Sequence, residues 1–278
     1  MTKQLPNFFT LLNLFFGCMA IVSGLQSDLI VMTRPDGQLY VDIPEKIWMV
    51  SLFIGLSALV DFLDGFLARA LQADSAMGKQ LDSLADLVSF GVAPALLLFH
   101  FLRLAWAQQP DGMELSSILL WPAFFIPLAA AWRLARFNIE KSVSSSFSGL
   151  PVPAAGIFIA SLPLIYWNVQ IDFISSLSLI YWNEQIGKFI LILQNAYLLI
   201  LQNAYFLYAI IVMLSLLMVS RIPLLSFKFS SFSWGENQPR YLLIIVSVPM
   251  FLVLQWLALP LIIVLYVLLS LLFKNKLA

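Results

Sequence analysis

Residues 46–106 read KIWMVSLFIGLSALVDFLDGFLARALQADSAMGKQLDSLADLVSFGVAPALLLFHFLRLAW. Two apolar runs, 46–70 and 84–106, each approach the roughly 20 residues that carry a helix across a bilayer. Between them Gln72 to Gln80 is polar and contains Gly78, so the chain is expected to reverse there. The runs read as two antiparallel membrane helices. Four carboxylates stand where they meet: Asp61 and Asp64, three apart, and Asp82 and Asp86, four apart. On helices each pair shares one face, and an antiparallel hairpin points both pairs into one cavity. Gly65 and Ala68 fall on the face of the first pair and leave room for a ligand or another backbone.

The rest of the chain agrees with a membrane setting. Hydrophobic residues make up 61% of the 278 positions and charged ones 11%, with mean hydropathy +0.92. Soluble domains sit near half apolar and a quarter charged. Formal net charge is zero, which gives a nucleic-acid partner no electrostatic support. Cys18 is the single cysteine and His100 the single histidine, so Cys/His zinc chemistry is excluded. No Walker loop or dinucleotide fingerprint is present.

Eight candidate spans can be drawn, at about 5–25, 46–70, 84–106, 117–138, 150–171, 192–219, 240–257 and 259–273. The first run has no small-residue cleavage site behind it and reads as a span. The last two, broken only at Ala258-Leu259-Pro260, read as two spans or as one long kinked helix. The expected fold is all-α, a polytopic transmembrane bundle of about eight spans forming one integral membrane domain over 1–278. A six-helix catalytic core occupies about 1–220, with the metal motif at 61–86, and 240–273 adds further spans. Eight spans put both termini on one side. Eleven Lys and Arg residues fall on that side and four (Arg34, Lys46, Arg103 and Lys188) on the other. Basic loops stay inside, so both termini and the aspartates are expected to face the cytoplasm from a cell membrane. Two short duplications, Leu164–Asn168 returning at Leu179–Asn183 and Leu193–Tyr197 returning at Leu201–Tyr205, read as local lengthening without a catalytic role.

An acid at the bilayer centre costs about 2.5–3.5 kcal/mol, and four clustered acids repel. Arg69 and Lys79 alone would neutralise them poorly. Divalent cations with a preference for oxygen ligands, Mg²⁺, Mn²⁺ or Ca²⁺, resolve the conflict. Two such ions about 3.5–4 Å apart can clamp both oxygens of a phosphoryl-type displacement.

The spacing Asp61-x-x-Asp64-Gly65-x-x-Ala68-Arg69, eight residues, Gly78-x-x-x-Asp82-x-x-x-Asp86 resembles the signature of the CDP-alcohol phosphotransferases at every defined position. The resemblance implies transfer of a phosphatidyl or similar group from a CDP-linked donor to an alcohol with release of CMP. It implies two divalent metals on Asp61, Asp64, Asp82 and Asp86, with Asp86 as general base. Gly65, Ala68, Arg69 and Gly78 would then line the CDP pocket, and a homodimer is implied.

Three further stretches are similar to the serine-using bacterial branch, the phosphatidylserine synthases: Leu5–Asn13, Trp132–Asn138 and Gly149–Ala155. By that likeness the substrates are CDP-diacylglycerol and L-serine. Asn7, Thr10 and Asn13 share a helical face and are candidates for donating to the diphosphate. Arg133 and Arg136 are candidates for binding the serine carboxylate or a phosphate, against ordinary snorkelling of basic residues at a span end. The likeness covers most of the first 155 residues. Alternatives are another acceptor, glycerol 3-phosphate or an inositol phosphate, or an ion-coupled transporter. Clustering of all four acids at one membrane face, without inverted repeats, speaks against the transporter.

Overall fold

A computed structural model of the chain describes residues 5–33, 39–71, 75–109, 116–139, 147–170, 184–225 and 233–273. Within them α1 is Leu5–Leu25, α2 Trp48–Ala70, α3 Ala76–Asp86, α4 Ala93–Ala107, α5 Phe125–Ile139 and α6 Val152–Gln170. Then come α7 Glu184–Leu201, α8 Ala204–Val219, α9 Trp234–Leu254 and α10 Ala258–Leu272. The fold is all-α and polytopic. Among the described residues two small antiparallel ribbons interrupt it, β1 (Ile30–Thr33) with β2 (Leu39–Asp42), and β3 (Phe147–Ser148) with β4 (Pro223–Leu224).

The packing of α1 inverts the soluble-protein pattern. Its buried residues are Pro6, Thr10, Asn13, Gly17, Ala20 and Gly24, a stripe of small and polar side chains at alternating spacings of four and three. Its exposed residues include Phe8 and Phe15, at 61% and 55%. Lipid tails are as apolar as Leu, so nothing drives large apolar groups inward, and small residues mark where helices touch. A Cβ on Gly24 would stand 2.5 Å from Leu96 Cδ2, and one on Gly156 2.9 Å from Phe90 Cβ. α1 lies along α2, while α6 packs on α2 and on the turn that carries Phe90.

That turn decides how the third span is built. Ala76–Ala107 runs as 32 residues of helix, with a π-helical turn at Leu87–Val92 directly after Asp86. A π turn adds a residue per turn and re-aims the helix beyond it. Ser89 there donates to the Asn13 carbonyl at 3.1 Å, and Gly91 lies against Ala130 and Pro127 of α5. The polar reversal is shorter than Gln72–Gln80, since α3 begins at Ala76 behind the N-cap Ser75.

Hydrogen bonds sort the helix ends into two layers. At one end Thr10 meets Asp64, Lys79 meets Asn138, and Arg136 meets Val219 and Ser220. The β3–β4 ribbon and the bond from Leu150 N to Leu217 O close the same end. At the other end Arg103 pairs with Asp28 at 3.2 Å. There Tyr166 donates to Asp42, and Trp106 to Tyr208, which bonds Leu119 O. α1, α2, the α3–α4 unit, α5, α6 and α8 therefore alternate in direction.

Eight spans are drawn from the sequence, and the described residues show how those stretches are built. Five described helices are long and apolar enough to cross a bilayer, or six if a bent pair counts as one span. The span expected at 192–219 is that pair: Asn195–Leu201 and Ala204–Val219 meet at 83°, because Asn203 caps a new helix by accepting from Tyr205 N and Phe206 N. Val152–Tyr166 is a shorter apolar helix. The spans expected at 240–257 and 259–273 lie in one 36-residue apolar stretch, Asn237–Leu272, interrupted by a 3₁₀ turn at Gln255–Leu257 where Gln255 takes φ 51°. The first duplication's second copy, 179–183, lies outside the described residues.

Candidate metal centre and substrate pocket

The helical hairpin brings the aspartates together as their spacing requires. Asp61, Asp64 and Asp82 each offer a carboxylate oxygen within 4.8 Å of the others. Asp86, one turn beyond Asp82 on α3, interacts electrostatically with Asp61, Asp82 and Asp64, so all four acids form one group. Asp64 and Asp86 are buried, at 6% and 7% exposure. Among the described residues no basic side chain stands within ion-pair distance of any of them. Carboxylates so confined in an apolar bundle repel, and a hard divalent cation with oxygen preference fits that donor set.

α1 holds the acids in place. Thr10 Oγ1 donates to Asp64 Oδ2 at 2.8 Å. Asn13, fully buried, turns Nδ2 to Asp86 Oδ1 at 3.5 Å. Its carbonyl accepts from Ser57 of α2 and from Ser89 of the π turn, both at 3.1 Å. One residue of α1 thus ties together both helices that carry acids. Its own Oδ1 has no partner.

Beside the acids opens a cavity of about 520 Å³, lined by Pro6, Asn7, Thr10, Asp64, Gly65, Ala68, Ser75, Ala76, Gly78, Lys79 and Asp82. Six positions picked from sequence line it besides Thr10: Asn7, Asp64, Gly65, Ala68, Gly78 and Asp82. A Cβ built on Gly65 meets nothing within 4 Å, whereas one on Gly78 would stand 2.9 Å from Asn7 Oδ1. Gly65 faces open space, and Gly78 lets α1 approach.

Three arginines are placed differently from one another. Arg69 is exposed in the last turn of α2 and does not line the cavity. Arg133 is buried at 7%, its Nε has no partner, and it interacts electrostatically with Asp86 and Tyr266. Arg136 donates to the carbonyls of Val219 at 2.8 Å and Ser220 at 3.0 Å, where α8 ends.

Lys79, Ser83 and Asn138 do not stand out from sequence as site residues. Lys79 lines the cavity, its Nζ donates to Asn138 O at 3.2 Å, and it lies 5.7 Å from the Phe137 ring centre. Asn138 Nδ2 donates to Ser83 Oγ at 2.8 Å. The signal available was helical spacing: Lys79 precedes Asp82 by three residues and Asp86 by seven, on the same face of α3.

Comparison with known proteins adds the relationship. The chain is 40% identical over 115 residues to the CDP-diacylglycerol–serine O-phosphatidyltransferase of Bacillus subtilis, covering 41% of this chain and 60% of that protein. The enzyme of the same name from Helicobacter pylori is 32% identical over 162 residues, 58% of this chain and 57% of that one. An archaetidylserine synthase from Methanothermobacter thermautotrophicus is 37% identical over 111 residues, 39% of this chain and 43% of that one. The chain thus spans less than two thirds of each relative's length. A family model described as CDP-alcohol phosphatidyltransferase matches residues 3–186, more than half of the chain, so the chain belongs to that family.

Proposed function

We propose that this chain transfers the phosphatidyl group of CDP-diacylglycerol to the hydroxyl of L-serine, giving phosphatidylserine and CMP. The observation that carries the reading is the convergence of Asp61, Asp64 and Asp82 within 4.8 Å, with Asp86 one turn beyond Asp82 on α3, beside a cavity walled by Gly65, Ala68 and Gly78. Asp61, Asp64, Asp82 and Asp86 would hold two divalent ions, Mg²⁺ or Mn²⁺. Bound there, the ions would neutralise the diphosphate and stabilise the charge that develops on departing CMP.

The chain's own residues do the rest. The serine hydroxyl forms the new oxygen–phosphorus bond while the bond from that phosphorus to the CMP oxygen breaks. Asp86 takes the hydroxyl proton, held in orientation by Asn13. Thr10 fixes Asp64. Arg133 suits the serine carboxylate, because a buried guanidinium with an unpartnered N–H needs an acceptor. Arg136, taken up by the α8 carbonyls, serves the scaffold in this reading. Relatives named for CDP-diacylglycerol and for an archaetidyl lipid both carry serine in their names, which favours serine over glycerol 3-phosphate or inositol phosphate. Clustering of the acids beside one cavity that Asp64 and Asp82 line, together with the family, disfavours a transporter.

In the same reading the protein is a multi-pass cell-membrane enzyme, a homodimer, with the cavity and both termini facing the cytoplasm. Purified protein in detergent, given CDP-diacylglycerol, Mg²⁺ or Mn²⁺ and a panel of alcohols, is expected to release CMP with serine. No CMP with any acceptor would overturn the enzyme reading. CMP with glycerol 3-phosphate but not serine would overturn the acceptor.

A further inference from the structure

Among the residues lining the cavity, two are acidic and one is basic. The basic one, Lys79, is exposed and lies in the first turn of α3. Its ammonium rests on Asn138 O, a carbonyl at the end of α5, and against the face of Phe137. A carbonyl in a helix's last turn has no partner within the helix, and a lysine there is a weak, water-replaceable cap. Capping uses one N–H of three. It leaves the charge free to meet an anion entering between α1, α2 and α3.

We propose that Lys79 is a donor-binding residue of this cavity, pairing its ammonium with the diphosphate of a cytidine nucleotide. The proposal rests on the function proposed above. It supplies a positive charge that Arg69, exposed and off the cavity lining, does not place there. A flexible ammonium suits a ligand whose charge moves off with the leaving nucleotide, since it follows a point charge without a fixed fork geometry.

The test is equilibrium dialysis of radiolabelled CDP against the detergent-solubilised full chain with Mn²⁺, with uncharged cytidine as control. Lys79→Gln keeps an N–H for Asn138 O and removes the charge. CDP affinity is expected to fall by about tenfold, with cytidine unaffected, while Lys79→Arg stays within about twofold of the parent. Phe137→Leu, which removes only the ring contact, is expected to bind CDP normally. Unchanged CDP affinity in Lys79→Gln would overturn the proposal and leave the enzyme reading standing. So would equal weakening in Lys79→Gln and Phe137→Leu with a lowered Tm, because that pattern belongs to a helix cap. Failure of the parent chain to bind CDP would overturn both together.

Discussion

Asp82 links the two aspartate pairs, close to Asp61 and Asp64 across the hairpin and one turn before its own partner Asp86. Replacing it by Asn keeps the volume and removes the charge a cation needs. Asp82→Asn is expected to lower CMP release by roughly a thousandfold or more with expression and membrane insertion unchanged. Substantial turnover in that variant would mean the acids are not the metal site. Thr10 acts through another residue: without its bond, Asp64 loses orientation. Thr10→Val should weaken Mn²⁺ binding, read by calorimetry, by about tenfold, and Thr10→Ser should restore it. The arginines offer a contrast. Arg133→Ala is expected to raise the serine KM by roughly tenfold, because its partner would be an anion in a buried place. Arg136→Ala should leave that KM within about twofold and lower the Tm, since two charge-assisted bonds to carbonyls are each worth about 1.5–3 kcal/mol. Equal effects on KM would return both to one role.

Identical pentapeptides behave differently along this chain. Leu193–Tyr197 lies inside α7, while Leu201–Tyr205 breaks the chain and starts α8 through the Asn203 cap. Asn tolerates both settings, and its surroundings choose, so no reading of the repeat alone yields the 83° bend. The hairpin of α2 and α3 was legible for the opposite reason. Its spacings of three and four act within a turn, and local periodicity is what sequence displays. The π turn at Leu87–Val92 and the Lys79–Asn138 tie were not, because each is set by contacts from distant helices: Asn13 and Gly17 of α1, Gly156 of α6, and the end of α5. The Gly156 contact can be tested directly. A Cβ there stands 2.9 Å from Phe90 Cβ and 3.0 Å from its Cα, so backbone must move. Gly156→Val is expected to cost about 1–3 kcal/mol and to lower kcat through the displaced turn after Asp86, seen as a lower Tm in detergent with a reduced CMP rate. Wild-type Tm and rate would mean the turn is not held from α6.

Two ends separate in this molecule, and charge distinguishes them. The cavity end gathers Lys79, Arg133 and Arg136 with the β3–β4 ribbon, whereas the opposite end holds Arg103 paired to Asp28 and the β1–β2 ribbon. Basic residues gather on the inner face of a membrane because translocating them is unfavourable, so the cavity should face inward. An active site there would meet water-soluble serine and release CMP where nucleotides are made, while the apolar flanks of α1 and α2 stay in lipid. The alternation of helix direction makes the claim checkable with two positions. Val31 of β1 is 52% exposed at one end and Met77 of α3 is 65% exposed at the other. Cys18 is the single cysteine and is itself exposed, so the background must carry Cys18→Ala. In that background Val31→Cys is expected to react with a membrane-impermeant maleimide on intact cells, and Met77→Cys only after permeabilisation. The reverse pattern would put the cavity outside, and labelling of both on intact cells would break the two-ended arrangement. The expected pattern ties the aspartates, the arginine and Lys79 to one aqueous compartment, as a reaction between a lipid-anchored donor and a soluble alcohol requires.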